Sequence, residues 1–214
     1  NDPPIPEPEW AYWTYDDYDP NEFIDRQYEN LAEWSGLWVQ DMLNVPLRAK
    51  LNLFWHNHFV TQREVYNCPS WMWEYHDHLQ TYAFGDFREF VRAMGKTPAM
   101  LVYLNGIQNT RLDPNENYGR ELFELFTLGE GNNYTQSDIV DAARALTGWN
   151  GLSEACAPIT FVSSFHDSGQ KTIFGQTAAF DYDGLVNLIF TERAIECSTY
   201  ICRKLYRHFV SPDV

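Results

Sequence analysis

The chain has 214 residues, 44% of them hydrophobic and 16% aromatic, so its composition predicts a folded globular protein with a substantial core. Its formal net charge of -15 repels phosphate backbones and anionic lipid surfaces, which argues against nucleic acid and membrane surfaces as partners. We also predict no membrane span, because no run of about 20 apolar residues is present.

Residues 1–20 are rich in proline and acidic side chains, and we expect an extended lead that starts at a mature or cleaved N-terminus. Residues 21–214 are predicted to form a single helical domain. Asn21 can cap a long first helix, and Pro46 suits the first position of the next one. Four residues of that second helix recur at helical spacing and predict a core stripe that carries a histidine into the interior: Leu47, Leu51, Phe54 and His58.

Further helices are predicted from Ser70 as a cap, over 86–95 and over 98–105. The best specified helix spans 114–128, because Asp113 can be its N-cap, Pro114 its first residue and Glu116 the partner in a capping box. Thr135 and the acidic residue at 138 form a second capping box, for a helix that ends near 148.

Between about 150 and 180 the pattern changes, because glycine, serine and threonine become more frequent. Residues 159–162 and 172–174 resemble short strands that flank a loop at 166–170, which predicts a small β-hairpin. Helical spacing returns over 181–190 and 192–210, where Ile195, Ile201, Leu205 and Phe209 can serve the core. The predicted fold class is therefore mainly α, a multi-helix domain with a small β-hairpin insertion near 155–180.

The helix over 114–128 carries a dense set of charges with two interpretations. Glu116, Arg120 and Glu124 recur every four residues on one face, which is typical of an ion-pair ladder. Alternatively, Glu121 and Glu124 lie among apolar residues and could enter a partly buried site as metal ligands or as an acid/base pair.

Two histidine clusters extend the candidate site. His56 and His58 are two apart on a predicted helix, about 200° apart around its axis, so both rings cannot easily reach one ion. His166 and Asp167 lie in the predicted loop, where the aspartate could orient the histidine, bind a cation or form an Asx-type turn. His76 and His78 are also two apart on a helix, and we expect at least one of them at the surface. Glu121, Glu124, His166 and Asp167 are the candidate catalytic residues, and with His56 and His58 they are the candidate ligands of a divalent metal ion.

Several signatures are missing from the sequence. It contains no HExxH, no GxSxG, no Walker loop, no GxGxxG and no ExxH pair of the di-iron type. The eight tryptophans are more suggestive, since aromatic faces stack on sugars and anchor protein interfaces, although pairs such as Trp34 and Trp38 are more often core.

Motifs spread over about 45–210 carry a family resemblance. They include PLR at 46–48, FWHNHF at 54–59, GDFRE at 85–89, PAMLVYL at 98–104, NENYGRELFELFTLG at 115–129, AARALTGW at 142–149 and HDSGQKTIFG at 166–175. In this order they closely resemble the bacterial family catalogued as domain of unknown function 1800. The resemblance implies an exported, extracytoplasmic and largely helical protein, part of a longer architecture and encoded beside a second exported family that is a possible partner.

Four cysteines are present: Cys68, Cys156, Cys197 and Cys202. They have no CxxC spacing, which disfavours a zinc ribbon or a thioredoxin-like pair. The exported setting implied by the resemblance permits disulfides, and two are expected. Cys197 and Cys202 fall in one predicted helix, too far apart to bridge each other.

Two functions from different classes remain. The first is a non-catalytic extracytoplasmic component that binds protein or glycan partners through an acidic, aromatic-rich surface. The second is a metal-dependent hydrolase or related enzyme that uses the His, Glu and Asp clusters. The sequence favours the first slightly, because it contains no recognised catalytic signature.

Overall fold

The computed structural model describes residues 4–150 and 156–213. Within these ranges the chain forms ten α-helices and two small two-stranded antiparallel sheets, which confirms the mainly α fold class with a small β component. None of the helices described is both long enough and apolar enough to cross a membrane. The chain divides into two compact units, unit 1 (residues 4–103 and 156–159) and unit 2 (104–150 and 160–213).

Proline begins several helices of unit 1. The unit contains α1 (Phe23–Asn44), α2 (Pro46–His58), α3 (Arg63–Tyr66), α4 (Pro69–Tyr82), α5 (Phe87–Met94) and α6 (Pro98–Tyr103). Pro46, Pro69 and Pro98 each occupy a first helical position, where the N–H that proline lacks would have no intrahelical partner. A proline in the local sequence therefore sets where each of these helices starts.

Three details of the predicted helices in unit 1 are wrong. The residue before α1 is Glu22 rather than Asn21, and its side chain makes no capping bond to the described backbone. Ser70 lies inside α4, which begins at Pro69. On α2, Leu47 is 65% exposed, so the buried part of the predicted stripe is Phe54 and His58. A stripe at helical spacing identifies a face, but neighbouring elements decide how much of it is covered.

The N-terminal segment contributes to the core of unit 1. Ile5, Trp10 and Ala11 are buried together with Trp73 of α4. The backbone N–H of Ile5 donates to the side chain of Gln80 at 3.0 Å. The segment is thus fixed to α4 by both apolar burial and a buried hydrogen bond.

Unit 1 also holds a disulfide between Cys68 and Cys156, which are 88 residues apart in sequence. Cys197 and Cys202 are free cysteines, both on α10 of unit 2 (Ala194–Phe209). The expectation of two disulfides is therefore wrong. The pair on α10 remains unbridged, because one helix holds the two side chains too far apart.

Unit 2 is built around two closely packed helices, α7 (Glu116–Glu121) and α8 (Gln136–Ala145). An added Cβ at Gly119 would lie 3.1 Å from the backbone nitrogen of Ala143 and 3.2 Å from the carbonyl oxygen of Ile139. A side chain at this position would therefore force the helices apart. The capping box of α8 forms as predicted, since Thr135 and Asp138 each accept the other's backbone N–H, at 3.2 and 2.8 Å.

The helix predicted over 114–128 differs at both ends. Asn115, not Asp113, is the N-cap, and its side chain accepts the N–H of Asn117 at 2.9 Å. Asn109 accepts the N–H of Asn115 at 2.9 Å, which fixes the cap outside the helix. Beyond α7 the chain continues as a π-helical stretch, Leu122–Thr127. The backbone thus leaves α-helical geometry where the predicted helix was to continue.

Two sheets occupy the region that was predicted to be one hairpin. β1 (Trp149–Asn150) pairs with β2 (Thr160–Phe161), and β3 (Lys171–Ile173) pairs with β4 (Gln176–Ala178). The predicted pairing of 159–162 with 172–174 is therefore wrong. Phe174 and Gly175 both have positive φ, which is typical of a tight two-residue hairpin turn and pairs β3 with the strand that follows it.

The remaining helices of unit 2 are α9 (Tyr182–Glu192) and α10. Asp181 caps α9 by accepting the N–H of Gly184 at 2.8 Å. On α10, Ile201 is buried as predicted, whereas Ile195 is 79% exposed and Phe209 is 42% exposed. Helical spacing predicted the element correctly and overestimated its buried face.

Candidate functional site

The two histidines of the FWHNHF motif have different surroundings on α2. His58 is 2% exposed, and its ring lies against those of Trp55 and Phe59 at 5.7 and 4.6 Å between centroids. His56 lies 2.9 Å through Nδ1 from the hydroxyl oxygen of Tyr75. That hydroxyl donates to the carbonyl oxygen of Phe59 at 3.0 Å.

The charges on α7 and its continuation form the ion-pair ladder. Arg120 lies 3.0 Å from Glu116 and 3.4 Å from Glu124, all three being partly exposed. Glu121 ends α7, and burial, followed by the charge of Glu124, raises the pKa of its carboxyl. Of the two candidate glutamates, Glu124 is therefore engaged by an arginine, whereas Glu121 is a carboxyl that burial makes harder to ionise.

The loop that carries His166 and Asp167 is held by a dense hydrogen-bond network. Asp167 accepts the N–H of Gly169 at 2.8 Å in an Asx-type turn and pairs with Arg144 at 2.7 Å, and this arginine lowers the pKa of the carboxyl. His166 donates through Nδ1 to the carbonyl oxygen of Thr147 at 2.9 Å. The buried Lys171 donates to the carbonyls of Asp167 and Gly169. Both carboxylate oxygens of Asp167 are thus used to shape the loop.

The six candidate ligands are distributed over both units. His56 and His58 belong to unit 1, and Glu121, Glu124, His166 and Asp167 belong to unit 2. Across residues 4–150 and 156–213, no three His, Cys, Asp or Glu side chains form a group that could hold a metal ion. The metal-dependent hydrolase therefore stays a prediction from sequence, without a ligand set in the described chain.

A different arrangement in unit 1 has the character of a binding site. A cavity of about 290 Å³ lies between residues of α1, α2, α3 and α4, and we call it the aromatic cavity. Its aromatic lining consists of Trp34, Trp38, His56, Tyr66, Tyr75 and His76. Thr61, Arg63 and Met72 complete it. The rings contact one another closely, with Trp38 lying 5.0 Å from Trp34 and 5.1 Å from His76 between centroids.

Three residues of this lining carry buried polar atoms without partners. The indole nitrogens of Trp34 and Trp38 and both ring nitrogens of His76 have no hydrogen-bond partner among the described residues. His76 is 0% exposed. Because a buried polar group left unpaired costs about 1–3 kcal/mol, such groups are uncommon unless something else satisfies them. Solvent does not reach these atoms in the structure, so a ligand oxygen pairs with them only if the surrounding rings shift.

Burial also sets the protonation of the cavity. It lowers the pKa of His76 to about 3, with smaller contributions from the charges of His56 and Arg48, and it lowers the pKa of His56. Both imidazoles are therefore neutral near pH 7, each with one donor and one acceptor. Burial raises the pKa of Tyr66 to about 12, which keeps its phenol protonated. The cavity thus presents neutral aromatic walls with several donors.

A second cleft of unit 1, of about 310 Å³, contains a titratable carboxyl. Glu74 lines it with Tyr12 and Trp71. Burial, with a smaller contribution from the charge of Asp77, raises the pKa of Glu74 to about 7. This carboxyl therefore changes its charge near neutral pH, a property suited to proton transfer.

Sequence reasoning missed the aromatic cavity. The tryptophans of α1 were assigned to the core, and His76 was not distinguished from His78, although the first is fully buried and the second only partly. A signal was present, since His76 follows Trp73 by three residues on α4 and so shares its buried face. That spacing predicts burial, but it does not predict that the histidine will lack a partner.

Comparison with known proteins supports the resemblance drawn from the motifs. No curated protein and no solved structure matches the chain significantly. A family model described as protein of unknown function (DUF1800) matches residues 6–214, essentially the whole chain. The chain therefore belongs to the DUF1800 family.

Proposed function

We propose that this protein is an extracytoplasmic, non-catalytic component that binds a glycan in the aromatic cavity of unit 1. The observation that carries the proposal is the set of unpaired polar atoms on Trp34, Trp38 and His76, all of which line one cavity. In unit 1, these residues bring apolar ring surface and hydrogen-bonding groups to the same place.

The chemistry of the lining matches a sugar ring. A pyranose has C–H groups that pack against aromatic rings and hydroxyl groups that both accept and donate hydrogen bonds. The unpaired ring nitrogens of the lining are shielded from solvent in the structure, so the lining rings must shift to uncover them. Once uncovered, the indole N–H groups of Trp34 and Trp38 can donate to such hydroxyls, and the neutral ring of His76 can donate through one nitrogen and accept through the other. A site that pairs buried polar groups with a substrate hydroxyl discriminates strongly against analogues that lack it.

The volume limits the part of the ligand that enters the cavity to about one sugar ring. Pockets for small molecules have volumes of about 300–1,000 Å³, so a cavity of about 290 Å³ lies just below this range. We therefore expect the cavity to hold a terminal or single sugar residue of a longer glycan. The disulfide between Cys68 and Cys156 is compatible with the proposed extracytoplasmic location, because disulfides persist in oxidising compartments.

A saturation-transfer NMR screen of mono- and disaccharides tests the proposal. We expect at least one sugar to bind the native protein and to lose about tenfold or more of its affinity when Trp34→Phe and Trp38→Phe are combined, because this change removes two donors and keeps two aromatic rings. Trp73→Phe is the matched control. Trp73 also has a buried indole nitrogen without a described partner, but it does not line the cavity.

Two results would overturn the glycan-binding role. The first is that no sugar in the screen binds the native protein. The second is that the double variant binds as tightly as the native protein does, while the Trp73→Phe control also remains unchanged. In the second case the sugar binds elsewhere on the protein.

A further inference from the structure

The charge of the aromatic cavity differs from that of the whole chain. The chain has 30 acidic and 15 basic residues. Among the described residues that line the cavity there is one arginine, Arg63, and no aspartate or glutamate. The two histidines of the lining are neutral near pH 7. The net charge of the lining side chains is therefore positive and is carried by Arg63.

The guanidinium of Arg63 is weakly engaged by its surroundings. Its ion-pair partner within the described chain is Glu64, at 3.9 Å between Nε and Oε1. That distance is beyond hydrogen-bond range, and the Glu64 side chain is 66% exposed, so water screens the pair. Arg63 lines the cavity and its side chain is 33% exposed, so the protein does not fully enclose this side chain.

We propose that the aromatic cavity selects a carboxylate-bearing sugar, a uronic acid residue, whose carboxylate pairs with Arg63. The planar guanidinium forms two parallel hydrogen bonds with a carboxylate, and such charge-assisted bonds are stronger than neutral ones. In a hexuronic acid the carboxylate is C6 of the sugar itself. It therefore adds little volume to the matching neutral hexose, as a cavity of about 290 Å³ requires.

The inference rests on the proposed glycan binding and adds the class of sugar. Its test uses matched pairs, glucose with glucuronic acid and galactose with galacturonic acid, titrated against the full chain by calorimetry. We expect the acid of at least one pair to bind about tenfold or more tightly than its neutral partner. Arg63→Gln should remove that preference while the neutral sugar keeps its affinity, and Arg63→Lys should retain part of it.

Arg26→Gln provides the matched control, because Arg26 belongs to the same unit, pairs with Glu29 at 2.8 Å and does not line the cavity. Equal affinity for the acid and the neutral sugar, or an equal loss of both in Arg63→Gln, would overturn the acidic-sugar assignment and leave glycan binding intact. Preference for glucose 6-sulfate over glucuronic acid would overturn the carboxylate assignment. If no sugar of either kind binds, the proposed function fails as well.

Discussion

Replacing His76 with phenylalanine should stabilise the protein and at the same time end the proposed glycan binding in the aromatic cavity. The imidazole is fully buried, and neither of its nitrogens has a hydrogen-bond partner in 4–150 or 156–213. A phenyl ring keeps the planar shape and removes both polar atoms. The cavity beside it can accept the slightly larger ring.

The expected gain depends on pH. At pH 7 it should be about 1–3 kcal/mol, the cost of a buried polar group without a partner. Below pH 6.5 the unfolded chain protonates His76, whereas the folded state resists protonation because burial lowers the pKa of this residue to about 3. The native protein therefore loses stability as the pH falls. At pH 4.5, about 2 pH units below the pKa of histidine in the unfolded chain, the protonation of His76 on unfolding costs the native protein roughly 2.7 kcal/mol of stability. The stability advantage of the phenylalanine variant therefore grows to about 4–6 kcal/mol.

Urea unfolding followed by tryptophan fluorescence at pH 7 and pH 4.5 measures both values. His78→Phe is the matched control on the same helix. Nδ1 of His78 lies 2.8 Å from the carbonyl oxygen of Glu74, so this change loses a hydrogen bond and should bring no gain. The reasoning is refuted if His76→Phe destabilises the protein at pH 7, or if its advantage does not increase at pH 4.5.

Three further predictions concern stability. Glu74→Gln should stabilise the protein by about 1–3 kcal/mol at pH 8.5 and by little at pH 4. Burial raises the pKa of Glu74 to about 7, so the native protein loses stability as the pH rises through that value. A urea midpoint that is equally shifted at both pH values contradicts this prediction. Replacing Cys68 and Cys156 with alanine should lower the free energy of unfolding by about 4–5 kcal/mol, because the disulfide closes a loop of 88 residues and so restricts the unfolded chain. An unchanged urea unfolding curve would disprove this prediction. Asp138→Ala should lower the free energy of unfolding by about 2–4 kcal/mol, since the carboxylate caps α8 and accepts the N–H of Phe174 at 2.7 Å. Retained hydrogen-exchange protection of the Phe174 amide in the variant would show that this hydrogen bond is dispensable.

Features that depend on neighbours in sequence were predictable. Pro46 begins α2, the box of Thr135 with Asp138 caps α8, and Arg120 bridges two glutamates spaced four residues away on either side. Each involves groups within about one helical turn, so helix geometry fixes their distances whatever the rest of the chain does. The same local regularity predicted the mainly α fold, and the ordered motifs indicated the family.

Features that join distant segments were decided by the tertiary structure. The partner of Cys68, the pairing of β2 with β1 and the exposure of Leu47 all depend on which elements meet. The aromatic cavity belongs to the same class. Trp38 and His76 lie on different helices. The position of each residue within its own helix is equally typical of an ordinary core side chain. Only their packing shows that the buried nitrogens lack partners, because hydrogen-bond satisfaction is a property of the three-dimensional neighbourhood rather than of the sequence pattern.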